Sequence, residues 1–342
     1  MAHNVFKAGI IIGAFVTSAS LALAQTPQEF YGKRSVILQI GSGVGGGYDL
    51  IGRVFSRHIG KHIPGNPNVT PQNVPGGGSL QLANQFGNIT PRDGSVFGIF
   101  NTGMALTPLL TPSVVKFDPR QFNFIGSPAR EAHVLIVWHT APVKTIEDIY
   151  KHKLTVAATA PGGAPYEFPH LANALLGTKF NVIKGYRSSQ ASKLAMEREE
   201  VHGIAGHGWA TVKAEFREDI EAGRVKVVAA FGMNKHKDLK DVPLFPTGKT
   251  KEEQQLFSLM YSRQVIGRPF AAPPNVPADR LKALRDAFAA TVKDEAFLAE
   301  AKKFNIDIDP VFHPELNELI KNLYATPPAI VDRMQAILKA AN

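Results

Sequence analysis

The sequence predicts an α/β protein built as two lobes, each a mostly parallel sheet flanked by helices. Three observations lead there. Short β-rich runs alternate with helical patterns, the alternation starts afresh near Val134, and glycine-rich segments stand where strands end. The 342 residues correspond to about two domains at roughly 150 residues each. With 44% hydrophobic and 20% charged residues the composition is that of an ordinary globular protein, which excludes disorder, collagen, coiled coil and a polytopic membrane protein. No cysteine is present, so disulfide frameworks, thiolate metal sites and cysteine nucleophiles are excluded as well. Lys and Arg number 38 against 29 Asp and Glu, a formal net charge of +9, which favours acidic partners.

The first element is read as a secretory signal peptide over residues 1–24. His3 and Lys7 give a weakly basic start, Ala8 to Leu23 is almost wholly apolar, and Ala22-Leu23-Ala24 offers small residues for cleavage before Gln25. The apolar run is short of the ~20 residues a membrane span needs. Export in turn removes the chain from nucleotide cofactor pools.

The mature chain then opens with a strand over Ser35–Ile40, followed by the loop Gly41–Gly47. Leu50, Ile51, Val54, Phe55 and Ile59 recur at helical spacing until Pro64-Gly65. A second strand, Val69–Val74, ends in Pro75–Ser79 and a short helix to Phe86. A third, Val96–Phe100, ends in Asn101-Thr102-Gly103. The pattern restarts with strand Val134–Trp138, helix Thr145–Tyr150 and strand Leu154–Ala158, which ends in Thr159–Pro165. A helix to Leu176, strand Phe180–Lys184, helix Ser189–Arg198, strand Val201–Ala205, a helix through Ala222 and strand Val225–Phe231 complete the second unit. Val265–Ala272 reads as a strand returning to the first sheet, and the tail from Asp279 reads as all helix, packing back on the first lobe. The expected organisation is therefore a first lobe over 25–130, a second lobe over 131–231, and a crossover with the rest of lobe 1 over 232–342. Open α/β sheets take ligands beyond the carboxyl ends of their strands, so two facing lobes leave a binding cleft.

The glycine loops carry the functional reading. Gly41-x-Gly43-x-x-Gly46 matches a dinucleotide fingerprint and sits between a strand and a helix, but the next strand ends in Gln72-Asn73-Val74 without the acid a ribose requires. An NAD-binding dehydrogenase on this loop is the minor alternative, and a bare tight turn another. Loops at Gly43–Gly47, Pro75–Ser79, Asn101–Gly103, Pro161–Gly163 and Gly206–Gly208 together suit a small anion held by backbone N–H groups from both lobes.

In the order and spacing of these motifs the chain resembles the extracytoplasmic solute receptors of the tripartite tricarboxylate transporter family, the Bug receptors, over roughly Tyr31 to Leu338. The matching segments are Gly46-Gly47-Tyr48-Asp49 with Arg53, Asn73-Val74-Pro75-Gly76-Gly77-Gly78, Pro91-Arg92-Asp93-Gly94 with Gly98, and Phe122–Gly126. Two second-lobe motifs depart from the family pattern: Gly162-Gly163-Ala164 lacks its serine, and Gly185-Tyr186-Arg187-Ser188 lacks the glycine after the basic residue. The resemblance implies a type II-like periplasmic-binding-protein fold. It implies a receptor that captures a small organic carboxylate by hinge closure and delivers it to membrane transporter subunits. A sensor signalling to a membrane kinase is the alternative.

The candidate ligand-binding residues of the first lobe are Val44, Gly45, Gly46, Tyr48, Asp49, Gly77, Gly78, Asn101 and Thr102. Those of the second are Thr159, Pro161, Gly162, Gly163, Tyr186, Arg187, His207 and Trp209. Asp49 either contacts ligand or satisfies helix-start donors. Arg187 either pairs with a carboxylate or is solvated. Tyr48 and Trp209 either wall the pocket or pack in the core. His58 and His62, four apart, read as a solvated helix face rather than a metal site. No cofactor, metal, catalytic residue or nucleic-acid partner is expected: no G-x-S-x-G elbow is present, and the Lys and Arg residues are scattered. After signal cleavage the chain is expected not to insert in the membrane and to be a monomer.

Overall fold

The computed structural model describes residues 25–341, so the signal peptide expected over 1–24 lies outside the described residues. Eleven strands form two sheets: β1 Val36–Ile40, β2 Val69–Asn73, β3 Val96–Ile99, β4 Asn123–Ser127, β5 His133–Trp138, β6 Leu154–Ala158, β7 Phe180–Lys184, β8 Gly203–Gly208, β9 Val225–Phe231, β10 Phe270–Ala272 and β11 Val311–Phe312. The first sheet has the order β11-β4-β10-β3-β1-β2 and the second β7-β6-β8-β5-β9.

Strand direction follows from where the chain crosses between the sheets. β1 pairs in parallel with β2 and β3, and β6 with β7 and β8, because each is followed by a helix that carries the chain back over the sheet. β5 and β10 begin at the junction itself and therefore run the other way. β5 is antiparallel to β8 and β9, and β10 is antiparallel to β3 and β4. The result is that the carboxyl ends of β1, β2, β3, β6, β7 and β8 all face one space. β5, His-Val-Leu-Ile-Val-Trp, is buried at every position, as suits a central strand covered on both faces.

The first lobe's core forms around the helix Gly47–Ile59, whose Ile51, Val54, Phe55 and Ile59 are buried on one face. Phe55 meets Phe270 of β10 at 4.6 Å, Phe288 at 5.4 Å and Phe297 at 5.5 Å between ring centroids. These rings bring the helices Ala278–Thr291 and Glu295–Lys303 onto the first sheet.

Several elements differ from expectation. The stretch Val265–Ala272 is strand only over Phe270–Ala272. Arg263–Ile266 is helical, and Gly267 at φ 65° turns the chain before Pro269, which has no N–H to donate. Gly206–Gly208 is not a loop: β8 runs through to Gly208, and Gly206 at φ 86° is the extra residue of a bulge opposite Val134–Leu135. The helix expected over Thr145–Tyr150 is confined to Asp148–Lys151, and the one expected through Ala222 breaks at the buried Phe216 into Trp209–Glu215 and Arg217–Glu221. The tail is not all helix, since β11 pairs with β4 through Val311 and Ser127. Its last helix, Pro328–Ala340, does not lie on the first sheet. It packs against Thr107–Leu110 on one side and the second-sheet helix Ala164–Leu176 on the other, where the Tyr166 hydroxyl donates to the Ala341 carbonyl at 3.4 Å.

Candidate functional site

The converging strand ends enclose a cavity of about 400 Å³ between the two sheets. From the first-sheet side it is lined by Gly46, Tyr48, Gly77, Gly78, Asn101 and Thr102, and from the other by Thr159, Tyr186, Arg187 and His207. The remaining residues singled out from sequence stand outside its lining. Val44 is 69% exposed on the outer side of its loop. Asp49 lies beneath that loop: its carboxylate accepts from Gly45 N at 2.9 Å, Arg53 Nε at 2.8 Å and Asn73 Nδ2 at 2.8 Å. Burial pushes its pKa up, but these three bonds together hold it below the usual carboxylate range. Asp49 therefore shapes the first glycine loop. Asn73 also donates to the Ser42 carbonyl at 3.0 Å, tying that loop to the end of β2.

Pro161, Gly162 and Gly163 form a contact between lobes instead of a cavity wall. A Cβ on Gly103 would collide with the Gly162 carbonyl, and one on Gly78 would touch Gly162 and Gly163 at 3.4 Å. Behind this loop, Glu167 accepts from Gly162 N at 3.1 Å and forms an ion pair with the fully buried Arg263, which donates to Gly162 O at 3.3 Å. Trp209 opens its helix and turns outward, its indole N–H donating to Asp238 at 3.2 Å. The ring is thus held by the acidic neighbour beside Lys213 and does not wall the cavity.

Hydrogen bonding also sorts the loop amides that the sequence pointed to. Several are already used inside the protein: Gly45 N–H by Asp49, Asn101 N–H by Ser79 Oγ at 2.8 Å, Thr102 N–H by the Tyr48 hydroxyl at 3.1 Å and Gly103 N–H by Asn101 Oδ1 at 2.9 Å. Those of Gly76, Gly77 and Gly78 have no partner among the described residues, and all three glycines line the cavity. Beside them the helix Gly47–Ile59 starts at Gly46 with no side-chain cap, leaving its first-turn donors aimed at the same space.

Sequence reasoning missed the buried ion pair that lines the cavity. Arg268 stands at one crossing between the sheets and Glu131 at the other, and their side chains form an ion pair at 2.7 Å. Arg268 also donates to the Gly47 carbonyl at 2.7 Å and to Thr211 Oγ1 at 2.9 Å, and lies 5.0 Å over the Tyr48 ring. Burial works against its charge, but the facing Glu131 outweighs this and raises its pKa. The signal that marked it was a lone arginine inside the apolar run Val265–Ala272, since arginine is rarely buried unless paired. His133 and His207 are neutral: burial, reinforced by nearby arginines, lowers His133 well below its usual value and His207 to about 3. Each keeps one ring nitrogen, Nδ1 of His133 and Nε2 of His207, without a partner among the described residues.

His58 and His62 face Glu300 and Asp294, His58 Nε2 lying 2.6 Å from Glu300 Oε2. Among the described residues, no group of three or more His, Asp or Glu is arranged to hold a metal ion, and no helix is long and apolar enough to cross a membrane.

No family model matches the chain. A curated relative, the UPF0065 protein in the gbd 5' region of Cupriavidus necator, is 24% identical over 322 residues, 91% of this chain and 90% of its own length. The periplasmic binding protein BugD superposes with a TM-score of 0.68 at 17% identity, covering 90% of this chain and 98% of its own. A protein of R. palustris with adipate gives a TM-score of 0.68 at 18% identity, covering 90% and 97%. The two sheets, the double crossing and the cavity between them thus amount to the two-lobed fold of the TctC and Bug periplasmic binding proteins.

Proposed function

We propose that this chain is an exported solute-binding receptor. It closes around a small organic carboxylate and presents the closed form to membrane transporter subunits. The observation that carries the reading is the set of amides at Gly76–Gly78 without a partner among the described residues, beside the uncapped start of helix Gly47–Ile59, on the wall of the cavity between the sheets. Hydrogen bonds to a charged group are worth about 1.5–3 kcal/mol each and a helix N-terminus about 0.3–2 kcal/mol. Three such bonds with the helix start give about 5–11 kcal/mol gross, so after the cost of association the roughly −8 kcal/mol of micromolar binding also needs burial of the rest of the ligand. In this reading Thr159, Tyr186, Arg187 and His207 approach the ligand from the second lobe, while Asp49 and Gly162 act by shaping loops. Capture and delivery require no nucleophile, base or cofactor. The protein acts in the periplasm as a monomer, freed of residues 1–24. The bound adipate of the structural neighbour is consistent with this ligand class.

A thermal-shift screen against mono-, di- and tricarboxylates and aromatic acids tests the reading. A true ligand at a hundredfold excess over its Kd stabilises the fold by about 2.7 kcal/mol. If no acid raises the melting temperature, the receptor reading fails.

A further inference from the structure

Buried polar side chains are almost always hydrogen-bonded, so exceptions gathered in one cavity call for a partner. Eight buried side-chain nitrogen and oxygen atoms lack one among the described residues, and three of them belong to residues that line the cavity: Glu131 Oε1, His133 Nδ1 and His207 Nε2. All three residues are more than nine-tenths buried. They meet at one corner. His133 at the start of β5 stands opposite Gly208 at the end of β8, next to His207, and a Cβ on Gly208 would lie 2.8 Å from Glu131 Oε1. Neither imidazole hydrogen-bonds to a described residue. Each is held instead against a phenyl ring, His133 against Phe168 at 5.2 Å and His207 against Phe216 at 5.7 Å between centroids. Glu131 spends its other oxygen, Oε2, on Arg268.

From this we infer that the corner formed by Glu131, His133 and His207 reads a hydroxyl group on the ligand, so that the receptor's cargo is a hydroxy acid. The inference rests on the receptor reading above: the Gly76–Gly78 amides meet the carboxylate, and the hydroxyl lies towards β5 and β8. A hydroxyl both donates and accepts. Its O–H suits Glu131 Oε1, which as a carboxylate oxygen only accepts, and its lone pairs suit an imidazole N–H. A carbonyl offers Glu131 nothing. An ammonium donates but brings a charge to a place where burial and the nearby arginines already keep both imidazoles uncharged. A bare methylene leaves the buried groups unpaired, which is how a site built for a hydroxyl rejects the analogue without one. A second carboxylate is a separate matter, because Arg187 lines the second-lobe side and can meet one.

The experiment is calorimetric titration of the mature protein with benzoate and with mono- and dicarboxylates of about three to eight carbons, each beside its monohydroxy and monoamino derivatives. At least one hydroxy acid should bind at least about tenfold tighter than its parent and than its amino counterpart. If no hydroxy acid gains over its parent, or if an amino acid gains more, the inference is overturned and the receptor reading stands. Absence of binding by every acid removes both. Structural damage weakens a hydroxy acid and its parent alike, so in variants the readout is the ratio of the two affinities. That ratio should fall at least about fivefold in the double variant His133→Leu with His207→Leu, and less in His207→Gln, which keeps a donor and an acceptor. A folded double variant with the wild-type ratio overturns the inference, and if it does not fold, the wild-type ratios decide.

Discussion

Replacing Glu215 by glutamine removes an acid that the fold buries without neutralising. Its Oε1 accepts from Ser189 Oγ at 2.7 Å, while Oε2 has no partner among the described residues. Burial lifts its pKa from the ordinary 4.5 to about 7, against the opposing influence of Ser189, Arg268 and Lys193. Below about pH 4.5 the folded and unfolded chains both hold the proton. As the pH rises towards 7, the unfolded chain releases it and the folded chain keeps it, so the folded state loses stability across that window; above 7 the loss is complete. Each tenfold difference in proton affinity is worth about 1.4 kcal/mol, which makes the full cost about 3 kcal/mol. Glutamine keeps an oxygen for the Ser189 hydroxyl and cannot ionise. Urea unfolding of both proteins at several values between about pH 4.5 and pH 8 should show Glu215→Gln more stable by about 3 kcal/mol at the alkaline end, with the gap closing towards pH 4.5. A gap that is constant with pH, or that widens in acid, refutes the reasoning.

Three other outcomes are expected. Arg268→Ala leaves Glu131 buried and alone and should lower the unfolding free energy by about 3–5 kcal/mol, read from chemical denaturation. Gly103→Ala places a methyl against the Gly162 carbonyl and should prevent full closure, weakening ligand binding at least about tenfold by calorimetry, while small-angle scattering of the ligand-bound protein reports an open form. Lys213 bridges Asp238 and Asp307 where the helix Trp209–Glu215 meets the segment leading to β11. Lys213→Ala should cost a few tenths to about 1 kcal/mol of ligand affinity, a loss that shrinks as salt is raised.

Local pattern made most strands legible. β6, β7 and β9 each announce themselves as β-rich runs bounded by turn residues, and Phe180–Lys184 and Val225–Phe231 end where the sequence says they should. The glycine loops were legible for the same reason, since a strand followed by glycines and a helical stripe admits few other readings. What sequence could not supply is pairing over distance. Glu131 and Arg268 stand 137 residues apart and gain meaning only when both crossings come side by side. Gly206 looks like a loop residue because its positive φ is that of a loop, although it serves a bulge inside β8. Asp49 was visible as a polar residue at a helix start, but whether it faced a ligand or its own loop depended on Asn73, twenty-four residues on. The final helix was legible only as part of a helical tail, and its host was not, because the surface that receives it is shared by residues of both lobes.

The glycines at the seam have a mechanical consequence. At Gly43 and Gly103 there is no side chain to yield, so main chain rests almost directly on main chain of the opposite half. Such a stop is stiff. If the lobes close on a ligand as proposed, the angle at which they meet would be fixed by this contact and not by the size of the guest, and an undersized guest would leave water beside it. A membrane partner that inspects the outer contour would therefore receive the same all-or-none message from every accepted guest.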